Sequence, residues 1–173
     1  MDTKLKTFLD LISFSEGTCF SPLTKDNGYD VIVTGVEGPS IFTGYGKHPF
    51  EDGGEVVVRV GPPELASTAA GRYQLLARYW RVYKAQLHLP DYSPASQDAV
   101  AIQQISERKA LPMIEDGDIA LAVQACSNIW ASFPSSLYNQ PHHPMATLVS
   151  KYHELLASQP DPGDTPAALA QAA

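Results

Sequence analysis

The stretch LKTFLDLISFSEGT, residues 5–18, predicts an amphipathic helix that ends beside a carboxylate. Its apolar residues at positions 5, 8, 9 and 12 recur at helical spacing, so they form one buried face. Asp2 or Thr3 can serve as the N-cap, and Gly17 is a stop signal. Glu16 therefore falls at the end of the helix, just before a region of different composition.

Residues 18–66 predict a small antiparallel sheet, because this region is rich in Gly, Pro and Asp. Three β-like runs lie within it, at 30–34, 41–45 and 56–60. The acidic, Gly-rich stretch PFEDGGE, residues 49–55, is predicted to be a mobile exposed loop.

The chain after Gly71 predicts a helical bundle. Helical spacing or capping residues indicate helices over 72–84, from the Ser93-Pro94 pair onward, over 118–127 and over 145–157. Three prolines between positions 134 and 144 indicate an irregular loop. The expected fold class is α+β, with residues 1–158 as one domain and residues 159–173 as a disordered tail.

Composition and charge exclude several classes of function. The chain has 173 residues, and 12 basic against 19 acidic residues make its formal net charge −7. This acidity argues against a nucleic-acid binder, which needs a basic surface, and against attraction to an anionic membrane. No apolar run approaches the roughly 18 residues of a spanning helix, and the N-terminus is not a signal peptide. We therefore expect no membrane insertion, and retention in the cytosol until another protein releases the chain.

Neither the cysteines nor the histidines form a recognisable metal motif. Cys19 and Cys126 lack zinc spacing, and two separate thiols are favoured over a disulfide between them. The adjacent pair His142 and His143 lies in a Pro-rich loop without further ligands. We expect no metal and no cofactor.

The carboxylate of Glu16 is the best candidate for chemistry. The negative end of a helix dipole and an apolar neighbour, Phe14, both favour the neutral acid and raise the pKa of such a carboxyl. A protonated carboxylic acid suits glycosidic cleavage, because the leaving oxygen must receive a proton. A surface glutamate near a helix end remains the alternative.

An ordered set of motifs resembles the lambda-phage endolysin family of lytic transglycosylases. The motifs are Ser15–Thr18 (SEGT), Asn27–Val33 (NGYDVIV), Ala70–Leu76 (AGRYQLL), Tyr92–Val100 (YSPASQDAV), Ala110–Ile114 (ALPMI), Gly117–Ile119 (GDI) and Cys126–Ser132 (CSNIWAS). The resemblance covers roughly residues 5–156. It implies a lysozyme-like fold in which a groove separates a small sheet lobe from a larger helical lobe.

The resemblance also implies an activity and a set of site residues. The family cleaves the β-1,4 bond between N-acetylmuramic acid and N-acetylglucosamine in peptidoglycan and forms a 1,6-anhydro product. Glu16 matches the family's catalytic glutamate, which acts as general acid and then as base. The expected substrate-binding residues are Asp30, Ser67, Tyr73, Gln74, Asn128 and Tyr138. Asp30 could instead have a structural role, Gln74 could be a buried amide and Asn128 a helix cap.

Two other functions stay open on the residues alone. A hydrolytic muramidase would use Asp30 as its second carboxylate, and a glycan-binding module would have no catalytic residue. The family implies a monomer that needs a holin for release from the host cytoplasm to the periplasmic cell wall. The chain departs from the family in its longer, acidic segment over 49–67, which we expect to form one moving lip of the groove with a hinge at Gly53-Gly54.

Overall fold

Helix α1 (Thr3–Ser15) follows the sequence prediction at both ends. The computed structural model describes residues 1–134 and 143–159. The Asp2 side chain accepts the Leu5 N–H at 3.1 Å and caps the helix. Gly17 adopts a positive φ of 73°, which ends the helix and leads into a 3-10 helix, Thr18–Phe20.

Six short strands follow, in two antiparallel sheets. They are β1 (Val31–Gly35), β2 (Gly38–Ile41), β3 (Val56–Arg59), β4 (Leu65–Ser67), β5 (Ala69–Ala70) and β6 (Leu75–Leu76). One sheet has the order β2-β1-β5-β6, and β3 and β4 form the other. The two sheets meet closely at Gly35, where a Cβ would lie 2.4 Å from the Val56 side chain, so only glycine fits there.

The helical lobe contains α2 (Ala77–Gln86), α3 (Pro94–Glu107), α4 (Leu111–Asp116), α5 (Ile119–Cys126) and α6 (Met145–Ala157). Its main core joins α1 to α3–α6. A smaller core forms around Trp80 and Tyr92. None of the described helices is long and apolar enough to cross a membrane.

Two predicted elements have the wrong bounds. The strand predicted over 41–45 lies earlier in the chain: β2 ends at Ile41, and residues 42–45 belong to no strand. The helix predicted over 72–84 begins only at Ala77, since Gly71 (φ 77°) and Gln74 (φ 50°) have left-handed backbone conformations that a right-handed helix cannot contain. Residues 71–74 form a turn instead, and β6 follows before the helix begins.

The loop over 49–55, predicted to be mobile and exposed, is anchored at Glu51. The Glu51 carboxylate accepts bonds from Trp80 Nε1 at 2.8 Å and from Lys84 Nζ at 2.7 Å. Burial favours a higher pKa for Glu51, but these bonds, with the His48 N–H, outweigh it and lower the pKa. Residues 52–55 are exposed as expected.

Arg72 connects α1 to both the strand region and α3. Its side chain is 3% exposed and pairs with Asp10 Oδ1 at 2.7 Å. The guanidinium also donates to the Asn27 carbonyl and lies over the Tyr29 ring, 5.1 Å from its centroid. The backbone N–H of Arg72 donates to Gln97 Oε1 at 2.9 Å.

We predict that Arg72→Met lowers the free energy of unfolding by about 3 kcal/mol, because removal of one partner from a buried ion pair leaves the other charge poorly compensated. Asp10 keeps bonds to Lys6 and Gln159, which limits the loss. Urea unfolding, followed by the fluorescence of the two buried tryptophans, measures the change in the free energy of unfolding. The matched control, Arg59→Met at the exposed last residue of β3, is expected to change stability by less than about 0.5 kcal/mol. Equal effects of the two variants would contradict the role of Arg72.

Candidate functional site

Glu16 occupies the C-cap position of α1, where its backbone N–H donates to the Ile12 carbonyl at 2.9 Å. The residue is half-buried, and its carboxyl turns toward the segment that follows α5. There the hydroxyl of Ser132 donates to Glu16 Oε1 at 2.6 Å. The end of the first helix thus contacts a residue far away in sequence.

Burial raises the pKa of Glu16 above its usual value. The hydrogen bonds from the side chain and the backbone of Ser132 stabilise the carboxylate and partly oppose that rise. The last turn of α1 contains no basic residue, so no neighbouring cation in that turn offsets the negative end of the helix dipole. The direction agrees with the sequence-based expectation of a carboxyl that holds its proton, and the larger cause is burial.

Ser132 was not singled out from the sequence as a site residue, although it closes the motif CSNIWAS. Its hydroxyl also accepts a hydrogen bond from the buried Ser15 hydroxyl at 2.8 Å. The His143 N–H donates to the Ser132 carbonyl at 3.2 Å. No periodic pattern predicts this contact, because the two serines are joined only by packing of α1 against the segment after α5.

Phe14 lies beside this site and organises a second group of side chains. Its ring contacts those of Phe20 and His143, with centroids 5.6 and 5.2 Å away. The ammonium of Lys151 lies 5.2 Å from the centroid of Phe14. Phe14 and α6 line an open depression of about 530 Å³.

Asp30 is 5% exposed, and its two carboxylate oxygens are engaged. Oδ1 accepts the Thr24 hydroxyl at 2.5 Å, and Oδ2 accepts the Lys25 N–H at 2.9 Å. These bonds close the loop before β1. The arrangement fits the structural role that was left open for this residue.

The expected substrate-binding residues between positions 67 and 74 lie in two different environments. Tyr73 is 5% exposed, and its hydroxyl donates to Asp98 at 2.6 Å, so it packs in the core. Ser67 and Gln74 are only partly buried. Their polar groups serve the local turn: Ser67 Oγ accepts the Ala69 N–H, and Gln74 Nε2 donates to the Gly71 carbonyl.

The remaining predicted residues have different outcomes. Asn128 is exposed just beyond the end of α5. Tyr138 lies outside the described residues.

Cys19 and Cys126 are free thiols, and burial raises the pKa of Cys126 to about 12. Over residues 1–134 and 143–159, no group of three or more His, Cys, Asp and Glu side chains could hold a metal ion.

Comparisons with known proteins identify the family to which the chain is similar. A family model described as Endolysin matches residues 6–158. The endolysin of Escherichia phage lambda is 49% identical over 155 residues, which are 89% of this chain and 92% of that protein. The endolysin of Escherichia phage P2 is 51% identical over 149 residues, which are 84% and 88% of the two chains.

Solved structures confirm the predicted lysozyme-like α+β fold. Bacteriophage lambda lysozyme complexed with a chitohexasaccharide has a TM-score of 0.81 and 49% identity, covering 90% of this chain and 95% of that one. A second structure of lysozyme from bacteriophage lambda has a TM-score of 0.76 and 47% identity, with the same coverage. The family match, the two relatives and these structures confirm the resemblance found in the motifs, and the chain belongs to the endolysin family.

Proposed function

We propose that the protein is a phage endolysin that degrades peptidoglycan as a lytic transglycosylase, with Glu16 as its general acid and then its base. The observation that carries this proposal is the half-buried carboxyl at the end of α1, whose pKa burial raises. The chain's similarity to two phage endolysins supports the class of reaction. The related lysozyme complexed with a chitohexasaccharide supports a β-linked amino-sugar chain as the ligand.

The proposed reaction needs one protein carboxyl. Protonated Glu16 donates its proton to the glycosidic oxygen as the bond from that oxygen to C1 of N-acetylmuramic acid breaks. The C6 hydroxyl of the same sugar then bonds to C1 and closes the 1,6-anhydro ring. The Glu16 carboxylate accepts the proton that this hydroxyl loses. The acid is regenerated, and no water is consumed.

The surroundings of Asp30 support this mechanism over the hydrolytic alternative. A hydrolase normally uses a second carboxylate, either to activate a water or to attack C1. Asp30 was the best candidate, but the Thr24 hydroxyl and the Lys25 N–H already bond to its two oxygens. A carboxylate engaged in this way is a poor nucleophile. We therefore assign Asp30 to the loop before β1, where it can orient neighbouring sugar contacts.

The predicted residues that are exposed or only partly buried remain candidates for substrate binding. Among the predicted set, we propose Ser67, Gln74 and Asn128 as residues that the glycan can reach, and we propose Tyr138 on the resemblance alone. Tyr73 shapes the site by its packing against Asp98. Stacking and hydrogen bonding must supply the affinity, because a net charge of −7 does not attract an anionic cell wall.

The biological setting is proposed from family membership. We propose that residues 1–158 are the catalytic domain, that residues 159–173 form a tail, and that the enzyme acts as a monomer. It would be made in the host cytoplasm and reach the periplasmic cell wall after a holin opens the inner membrane. Peptidoglycan glycan strands are its proposed partner, with no nucleic acid, cofactor or metal in the reaction.

We predict that Glu16→Gln lowers the rate of peptidoglycan cleavage by at least about 100-fold, since the amide cannot donate the proton. Binding to purified cell walls in a sedimentation assay is expected to stay within about twofold, because glutamine keeps the size and the Ser132 contact. Glu115→Gln, on the exposed surface of α4, is the matched control and is expected to retain full activity. Cell-wall clearing by Glu16→Gln at the wild-type rate would refute the assignment.

The same variant is expected to be more stable than the wild type, and increasingly so as pH rises. Burial raises the folded-state pKa of Glu16, so the folded state holds the proton longer than the unfolded state. Between the usual glutamate pKa of about 4.3 and the raised folded value, the wild type loses stability with increasing pH. Urea midpoints of both proteins, measured from pH 4 to pH 8, test this, with Glu115→Gln as reference. A constant difference across this range would contradict it.

Digestion in ¹⁸O-labelled water distinguishes the transglycosylase from the hydrolase. Mass spectrometry of the released fragments is expected to show 1,6-anhydro muramyl ends, one water lighter than reducing ends, without ¹⁸O. A hydrolytic lysozyme treated in parallel is the control and must incorporate one labelled oxygen per cleavage. Labelled reducing ends from this protein would establish the muramidase alternative. Wall binding without any fragments would establish the glycan-binding module.

A further inference from the structure

Ser132 is held in one orientation toward Glu16 by contacts on different sides. Its hydroxyl donates to Glu16 Oε1 at 2.6 Å and accepts from the Ser15 hydroxyl at 2.8 Å. Its carbonyl accepts the His143 N–H at 3.2 Å. Ser15 is 6% exposed, so its proton has few alternatives in water. The hydroxyl proton of Ser15 therefore points toward Ser132, and that of Ser132 points toward the Glu16 carboxyl.

We propose that Ser132 is a positioning residue for Glu16: its hydroxyl bond to Oε1 makes Oε2 the oxygen that carries and transfers the catalytic proton. This inference rests on the proposed function. A proton on Oε1 would meet the Ser132 hydroxyl proton head-on, because the Ser132 hydroxyl donates to that oxygen. The acidic proton is therefore placed on Oε2.

The same contact suits a residue that must act first as an acid and then as a base. Burial alone would hold the proton on Glu16 strongly, which helps protonation of the leaving oxygen but hinders the second step. Hydrogen bonds from the hydroxyl and N–H of Ser132 stabilise the carboxylate that forms after the first step. Ser132 thus keeps both protonation states of Glu16 accessible during one cycle.

Most of the charged and titratable groups around the site contact other side chains. His143 and Lys151, from the segment before α6 and from α6, face the ring of Phe14. On α1, Asp10 pairs with Arg72, and Cys19 of the 3-10 helix is a free thiol. For the described residues, the causes that shift the pKa of Glu16 are burial and the bonds from Ser132.

The test measures cleavage against pH for Ser132→Ala. We expect kcat to fall by about 10- to 100-fold, the value of a hydrogen bond to a charged group, with a smaller change in KM. Without the donor, the pKa of Glu16 rises further. The alkaline limb of the pH profile of kcat is therefore expected to move to higher pH.

Three further variants separate positioning from folding. Ser132→Thr keeps the hydroxyl and is expected to restore the pH profile. Ser15→Ala leaves Ser132 in place but removes the donor behind it, so the limb is expected to move the same way by a smaller amount. Ser158→Ala is the matched control, because its hydroxyl donates to the Leu155 carbonyl at the end of α6, and no change is expected.

A direct titration keeps this inference separate from the proposed function. In ¹³C-glutamate-labelled protein, the Glu16 Cδ resonance is assigned by its disappearance in Glu16→Gln, and its pKa is compared in the wild type, Ser132→Ala and Ser15→Ala. A higher pKa in both serine variants supports the inference. An unchanged pKa and an unchanged pH limb would overturn it, even if Glu16→Gln is inactive. Full activity of Glu16→Gln would instead overturn the proposed function.

Discussion

The buried guanidinium of Arg72 is the interaction on which the rest of the structure depends. It pairs with Asp10 on α1, bonds the Asn27 carbonyl and lies over Tyr29. The backbone carbonyl of Arg72 accepts a hydrogen bond from the Thr18 hydroxyl, so the segment just after α1 is also held in place. A buried charge must be paired on several sides, and this requirement sets where α1 lies against the strand region. Glu16 stands at the end of that helix, so its position follows from the same constraint.

Four of the motifs that carried the family resemblance, SEGT, NGYDVIV, AGRYQLL and YSPASQDAV, meet around Arg72. Gly71 has a positive φ, and a Cβ there would lie 2.2 Å from Gln97 Oε1, so glycine lets α3 approach. Asp98 accepts the hydroxyls of both Tyr29 and Tyr73. The family resemblance predicts Tyr73 as a substrate-binding residue, yet Asp98 accepts its hydroxyl together with that of Tyr29, so Tyr73 helps to pack three segments together. The residues that match the family motifs therefore include those that hold the fold together as well as the candidate acid, Glu16.

The elements that sequence reasoning predicted were the ones with a long period or a clear boundary signal. Helix α1 has both an apolar face and caps, and α6 has an apolar face with a proline before it. Strands of two residues, such as β5 and β6, have no period to detect. The acidic loop was predicted to be exposed because charge usually faces water, but Trp80 Nε1 and Lys84 hold Glu51 against α2.

The sequence by itself determined the fold class, the family and the candidate acid, because periodicity, composition and ordered motifs are local properties of the chain. It also indicated the direction in which the pKa of Glu16 shifts, since a helix end and an apolar neighbour are visible locally. Only the tertiary structure decided what touches that carboxyl. Ser132 lies 116 residues from Glu16, and a contact across that separation depends on how the helices pack. It likewise decided that Asp30 is engaged within its own loop, because hydrogen-bond partners are chosen by geometry and not by residue type.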